Sequence, residues 1–98
     1  MVVRVVLIKL HDEFVPQREA IAAESERMLS AVPGVQAVEA DIPADIQSAG
    51  SWDLCLRLRF ADMDAVDAYV PHPAHREYLD WLEPRCHVKK AWNFTTRG

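Results

Sequence analysis

The sequence predicts a single small α+β domain over residues 1–98, with the element order β-α-β-β-α-β. Three observations carry this prediction. The segment Val2 to Leu10 is rich in aliphatic and β-branched residues, and residues 52–60 alternate between apolar and polar. Apolar residues at helical spacing follow each of these two segments. A domain of this size has a thin core, so buried surface at a partner subunit would add to its stability.

The first strand is predicted from Val2 to Leu10. Valine, leucine and isoleucine occupy both of its faces, which is typical of a central strand and not of an edge strand. Because side chains alternate along a strand, one of the two faces carries Arg4, Val6 and Ile8.

His11 to Pro16 is predicted to be a connection. A first helix is predicted from Gln17 to Val32, where apolar residues recur at helical spacing. Pro33-Gly34 ends this helix and begins a turn. A second strand follows from Val35 to Asp41. The segment from Ile42 to Ser51 contains proline, glycine and serine and is predicted to be a loop.

The clearest strand runs from Trp52 to Phe60, with its leucines on one face and Asp53, Cys55, Arg57 and Arg59 on the other. Asp62 is a predicted N-cap for a second helix, which ends at Pro71. Its expected inward stripe consists of Met63, Val66, Tyr69 and Val70.

A further short helix is predicted from Pro73 to about Glu83, with Leu79 and Leu82 inward, and a last strand from Val88 to Phe94. Taken together, the elements form a split βαβ, or ferredoxin-like, arrangement. Four antiparallel strands are then covered by helices on one face.

Charge and composition exclude several classes of partner. The formal net charge is −4 and no Lys/Arg cluster is present, so the sequence predicts binding neither to nucleic acid nor to an anionic membrane. No apolar run is long enough to span a bilayer or to act as a signal peptide.

Cys55 and Cys86 are isolated and match no metal-binding pattern, which favours free thiols in a reducing cytoplasm.

One stretch carries a recognisable motif, Ala-Tyr-Val-Pro-His-Pro-Ala-His at residues 68–75. Together with Trp52-Asp53-Leu54, Phe60-Ala61-Asp62 and Val32-Pro33-Gly34-Val35, it resembles the Dabb family, the stress-responsive dimeric α/β-barrel domains. The resemblance covers nearly the whole chain. It implies a ferredoxin-like subunit that forms a homodimer through its open sheet face.

Within that family the sequence resembles the plant polyketide cyclases of the olivetolic acid cyclase type. The resemblance implies that Tyr69 and His75 are a catalytic pair. Arg4 stands where that branch has a pocket histidine on the first strand, and Ala22 and Ser25 stand where it has bulky aromatics. The resemblance therefore implies a similar pocket with a different substrate.

The residues themselves also point to this pair. His72 precedes Pro73, so it is expected at a helix N-cap, and His75 falls in the first turn, where the helix dipole disfavours a protonated imidazole. Tyr69 lies on an inward helical stripe. We predict that Tyr69 and His75 face one cavity, and that the ligand-binding residues Arg4, Val6, Ile8 and His72 belong to the same site.

Structural alternatives stay open for these residues. A buried tyrosine and histidine commonly satisfy backbone groups at a helix break. His72 and His75 are three residues apart, which permits metal binding, but no third ligand is visible and no metal site is predicted.

Three functions remain open from the sequence. The first is a dimeric ligand-binding or stress-associated protein. The second is a cyclase-like enzyme that acts on a carbonyl-containing small molecule through Tyr69 and His75. The third is a monooxygenase-like barrel, although no candidate axial histidine for haem is evident. No cofactor is predicted.

Overall fold

In the computed structural model, which describes residues 1–97, an antiparallel sheet is covered on one face by helices. Its strands are β1 (Val2–Leu10), β2 (Ala37–Asp41), β3 (Leu54–Phe60) and β4 (Cys86–Thr95). Their order across the sheet is β2-β3-β1-β4, so β1 is central and β4 is an edge strand. This is the predicted ferredoxin-like arrangement, and the predicted fold class is confirmed.

The helices are α1 (Arg18–Ser30), α2 (Ile46–Ala49), α3 (Met63–Tyr69) and α4 (Pro73–Leu82), with a 3-10 helix at Asp12–Gln17. Two of these lie in segments that were predicted to be irregular. The 3-10 helix replaces the expected connection after β1. The single turn of α2 interrupts the expected loop, because the Asp45 carboxylate accepts a hydrogen bond from the backbone N–H of Ser48 at 2.7 Å.

The third strand begins later than predicted, and Asp53 is the reason. Its backbone N–H donates to the carbonyl of Ile8 at 2.9 Å, and its carboxylate accepts from the N–H of Leu10 at 2.8 Å. The Asp53 side chain is therefore fully buried. It does not lie on the polar strand face with Arg57 and Arg59, as the alternation had suggested.

Burial along the sheet follows the predicted alternation. In β1 the buried residues are Val2, Val6, Ile8 and Leu10, and in β3 they are Leu54, Leu56, Leu58 and Phe60. The two strands are in antiparallel register, with Val6 opposite Leu56. The core therefore lies between this face of the sheet and the helices, while Cys55, Arg57 and Arg59 occupy the open face.

The inward stripe of α3 is narrower than predicted. Asp62 caps this helix as expected, accepting from the N–H of Ala65 at 2.9 Å. Val66 and Tyr69 are buried, but Met63 is 41% exposed and Val70 is 44% exposed. Met63 occupies the first helical position and Val70 follows the last one, and both side chains are partly open to solvent at the ends of the helix.

Candidate functional site

Tyr69 and His75 lie side by side where α3 ends and α4 begins. Their ring centroids are 4.1 Å apart and the planes are tilted by 30°. Tyr69 also meets the ring of Phe60 edge-on, at a centroid distance of 5.0 Å. Both rings are largely buried. The break between the two helices at Pro71 thus brings two polar aromatic side chains together in the interior.

His72 caps α4 instead of lining a ligand site. Its backbone is extended, as a residue before proline requires, and its Nδ1 accepts a hydrogen bond from the N–H of Ala74 at 3.0 Å. The ring is thereby held at the helix end, outside the cavity that contains His75. The expectation that His72 binds a ligand is not supported by this placement.

The tautomer of His75 follows from the hydrogen bond between its ring and the backbone. Nδ1 lies 2.8 Å from the carbonyl oxygen of Val70. Because a carbonyl only accepts, we assign the proton to Nδ1, which leaves a lone pair on Nε2. Chemically, the ring can then take up a proton or accept a hydrogen bond at Nε2.

The pKa of His75 is lowered, so the ring is neutral at pH 7. Burial is the main cause, and the positive charges of Arg4, Lys89 and Arg76 act in the same direction. The hydrogen bond to the Val70 carbonyl acts in the opposite direction and raises the pKa. Sequence analysis had named the helix dipole as a cause, and burial is a further cause that the sequence pattern did not reveal.

The Tyr69 hydroxyl is held in its protonated form. Burial raises its pKa well above the usual value, and the nearby charge of Arg4 only partly offsets this. Within residues 1–97 no protein group hydrogen-bonds to this hydroxyl, and it is not among polar atoms sealed from solvent. It is therefore a hydrogen-bond donor available to a bound molecule.

Both side chains face a common space, which we call the inner cavity. Its volume is about 40 Å³, enough for one or two water molecules. Arg4, Val6, Tyr69 and His75 all line it, together with Leu29, Leu56, Tyr78, Leu79, Leu82, Lys89 and Ala91. Ile8 does not, because it lies further along β1, opposite Leu54, and is fully enclosed by the core.

The charge around the inner cavity is positive and unbalanced. One guanidinium nitrogen of Arg4 donates to the side-chain oxygen of Asn93 at 2.9 Å, which is a neutral partner. In the described part of the chain, no carboxylate oxygen lies within 4.0 Å of Arg4 or Lys89. An anion in this cavity would therefore meet two cations and no competing carboxylate.

Sequence analysis missed Tyr78, the third polar aromatic residue of the site. Its hydroxyl donates to Ser25 Oγ at 2.8 Å, and Ser25 in turn donates to the carbonyl of Ile21 at 2.8 Å. Burial raises the pKa of Tyr78 to about 12. Its position three residues after His75, on the same side of α4, was the available signal.

Asp53 is a second buried polar residue whose burial the sequence did not predict, but it does not belong to the site. Its carboxylate lies 3.3 Å from Arg18 and 3.4 Å from Lys9, in addition to the bond from Leu10. These contacts join α1, β1 and the start of β3. The residue is absent from the walls of the inner cavity, so its role is structural.

Two larger grooves lie elsewhere on the molecule. One, of about 700 Å³, runs between α1 and β2 and is lined by alanines and the carboxylates of Glu19, Glu26 and Asp41. The other, of about 460 Å³, lies beside α2 at Trp52 and Cys55. Both grooves are open to solvent, and neither is lined by Tyr69 or His75. The size of a pocket therefore does not identify the candidate site in this protein.

Residues 1–97 lack the features of a metal site and of a membrane-spanning helix. In this range no group of three or more histidine, cysteine, aspartate or glutamate side chains is placed to bind a metal ion. Cys55 and Cys86 are both free thiols. None of the helices described has the length and apolar character needed to cross a membrane.

Comparison with solved structures places the fold among dimeric ferredoxin-like proteins. A dimeric protein of unknown function from Bacteroides fragilis has a TM-score of 0.78 and 20% identity, covering 97% of this chain and 95% of that chain. A Dabb family protein from Mesorhizobium loti has a TM-score of 0.79 and 20% identity, with coverage of 99% and 97%.

A third similar structure is that of SnoaB, a cofactor-independent oxygenase from Streptomyces nogalater. Its TM-score is 0.74 and its identity 16%, covering 99% of this chain and 93% of that chain. At these identities the likeness shows a shared fold and not a shared activity.

Sequence comparison identifies the family directly. No curated protein matches this sequence. The family model for the stress responsive A/B barrel domain, Dabb, matches residues 2–92, which is nearly all of the chain. The resemblance carried by the motif at residues 68–75 is thereby confirmed, and the chain belongs to the Dabb family.

Proposed function

We propose that this Dabb protein is a homodimer that binds a small anionic molecule, such as a carboxylate or an enolate, in the inner cavity. One observation carries the proposal. Arg4 and Lys89 line a cavity whose described walls contain no aspartate or glutamate, and the unpaired hydroxyl of Tyr69 lies in the same cavity. Both cations can donate charge-assisted hydrogen bonds to such an anion. The neutral ring of His75 adds a hydrogen-bond acceptor at Nε2.

Binding of matched acids and neutral molecules tests this function. We expect acetate and acetoacetate to shift the NMR resonances of the His75 ring, and acetamide to bind at least tenfold more weakly than acetate. Arg4→Gln should remove this preference for the acid. The matched control Arg27→Gln changes an exposed arginine on α1 that is remote from the cavity and should have no effect. Equal binding of acid and amide would refute the proposal.

The open face of the sheet supports the homodimer. By register, Val5 lies beside Trp92 and Val3 beside Phe94 on this face. Trp92 is 44% exposed and Phe94 is 56% exposed, which leaves large apolar surface facing water. A second copy packed face to face would bury it, as in the similar proteins described as dimeric.

Light scattering at micromolar concentration tests the dimer. We expect twice the mass of one chain for the wild type and the mass of one chain for Trp92→Glu, because two buried carboxylates would then face the interface. Met63→Glu is the control, since Met63 is also a partly exposed apolar residue but lies on α3, on the opposite side of the sheet. A monomeric wild type would exclude the dimer.

Enzymatic proton transfer is a second candidate function, favoured by the tautomer of His75. In a bound β-keto acid, Nε2 would take a proton from the carbon between the two carbonyl groups. The enolate oxygen would accept a hydrogen bond from the Tyr69 hydroxyl, with Arg4 nearby as counter-charge. Return of a proton from Nε2 to the same carbon completes an exchange cycle that a cyclase-like enzyme would share.

Deuterium exchange at that carbon of acetoacetate tests this activity. We expect the wild type to accelerate exchange over buffer, and Tyr69→Phe and His75→Asn to reduce it at least tenfold. Asparagine at this position retains a donor near Nδ1 for the Val70 carbonyl but has no group at Nε2. His72→Asn is the control, because asparagine is also a good N-cap. Exchange no faster than in buffer would exclude the enzymatic function for this probe.

We further propose that the protein works in the reducing environment of the cytoplasm. The support is chemical: Cys55 and Cys86 are both unpaired. Burial raises the pKa of each thiol, which lowers its reactivity.

A further inference from the structure

A second pocket lies directly outside the inner cavity, and we call it the vestibule. It is lined by Leu79, Leu82, Glu83, Cys86 and Lys89, and its volume is about 260 Å³. Three of these residues, Leu79, Leu82 and Lys89, also line the inner cavity. The two spaces therefore lie side by side and share part of their walls.

We propose that the vestibule is the entrance to the inner cavity and holds the apolar tail of the ligand. The ligand is then an amphiphilic monocarboxylate, with its carboxylate inside and its hydrocarbon chain in the vestibule. This inference rests on the proposed binding of an anion in the inner cavity and adds the identity of the rest of the molecule.

Volume supports this division of the ligand. The inner cavity, at about 40 Å³, has room for a carboxylate but not for a complete organic molecule. Binding sites for small molecules start at about 300 Å³. The inner cavity reaches that range only when it is joined to the vestibule of about 260 Å³.

The wall between the two spaces is made of side chains that can move. Lys89 is exposed on the edge strand β4, and Leu79 is only half-buried on α4. Side chains with this exposure change rotamer rapidly, so the passage opens without a backbone movement. Lys89 can keep its aliphatic stem along the apolar wall while its ammonium group meets the incoming acid.

The charged and apolar side chains that line the two spaces indicate the class of ligand. Arg4 and Lys89 supply positive charge at the inner end, and the leucines supply an apolar wall. Glu83 lies on the vestibule side and is exposed. A second carboxylate at the far end of the ligand would meet this glutamate, so a monocarboxylate is preferred over a dicarboxylate of the same length.

A ligand series measured by calorimetry at pH 7 tests the class. From acetate through butanoate to octanoate, we expect affinity to rise about fourfold for each methylene that enters the vestibule, the equivalent of about 0.8 kcal/mol. Octanedioate and octan-1-ol should each bind at least tenfold more weakly than octanoate. Affinity that does not change with chain length would overturn the inference.

Cys86→Trp tests the location, because Cys86 lines the vestibule but not the inner cavity, and the larger ring fills the vestibule. We expect it to weaken octanoate at least tenfold and to leave acetate within twofold. Ile46→Trp is the control, since Ile46 is 92% exposed on α2 and lines neither space. Thermal unfolding of both variants establishes that they remain folded.

Cysteine alkylation in the wild type gives a readout that needs no variant. Cys86 lines the vestibule, whereas Cys55 lies in the groove beside α2. We expect saturating octanoate to slow iodoacetamide labelling of Cys86 at least fivefold at pH 8.5 and to leave Cys55 unchanged, as measured by peptide mass spectrometry. Equal labelling of Cys86 with and without octanoate would refute the vestibule as the tail subsite.

The outcomes separate this inference from the function on which it rests. If acetate shifts the His75 resonances but chain length, Cys86→Trp and the labelling of Cys86 in the wild type show no effect, the vestibule is excluded and the anion site stands. If no acid of any length shifts those resonances, both are excluded.

Discussion

Leu56→Ala tests the placement of the core and the wall of the inner cavity in one measurement. Leu56 is 1% exposed, lies opposite Val6 in the sheet and lines the inner cavity. The substitution removes three buried carbons, which is about 2.4 kcal/mol at about 0.8 kcal/mol each. The empty space adds to this cost, and observed losses for such changes span about 2–5 kcal/mol. Because a void already lies beside this side chain, we expect about 3 kcal/mol.

Urea unfolding at a fixed protomer concentration measures this loss, since the stability of a dimer depends on concentration. Met63→Ala is the matched control. Met63 is a similarly large apolar residue, but it is 41% exposed, and we expect a loss below about 0.5 kcal/mol. If Leu56→Ala costs less than about 0.5 kcal/mol, or less than the control, the assignment of buried and exposed faces is wrong.

Three further substitutions test the polar contacts. Asp53→Ala leaves the buried N–H of Leu10 without its acceptor, and we expect a loss of about 2 kcal/mol in urea unfolding. Tyr78→Phe removes the hydrogen bond to Ser25 and should cost about 1 kcal/mol in the same assay, with no change in acetate binding if the hydroxyl is only structural. His75→Asn should flatten the acid side of the stability profile. Because the folded pKa of this histidine is lowered, the unfolded chain binds more protons below about pH 6.5, so wild-type stability falls as the pH drops below that value and the variant lacks this loss.

Local patterns were sufficient to predict the order of the elements. The alternation across β3 and the breaks at Pro33-Gly34 and Pro71 are properties of neighbouring residues, and the fold follows from them. The boundaries depend on contacts that a local pattern does not contain. The Asp53 carboxylate lies in the interior, where it accepts a hydrogen bond from the N–H of Leu10, 43 residues away in the chain. Strand β3 therefore starts one residue after Asp53.

Part of the site was also predictable. Strand alternation places Arg4 and Val6 on the core face, and the helical stripe places Tyr69 there too; all three line the inner cavity with His75. Alternation gives the face of a strand but not the position along it, so Ile8 was included although it lies beyond the cavity. Lys89 was missed because it comes to the site only through the pairing of β4 with β1, which the sequence pattern does not contain.

From the sequence, a structural role and a chemical role for His75 were competing alternatives. The geometry removes this conflict, because the two roles require different atoms of the ring. Nδ1 donates to the carbonyl of Val70 just after α3 ends, so it satisfies a backbone group at the break between the helices. That same bond fixes the tautomer and leaves the lone pair on Nε2. The structural contact is therefore the condition under which a neutral histidine can act as a base toward a ligand, and loss of stability in a His75 variant does not by itself argue against chemistry.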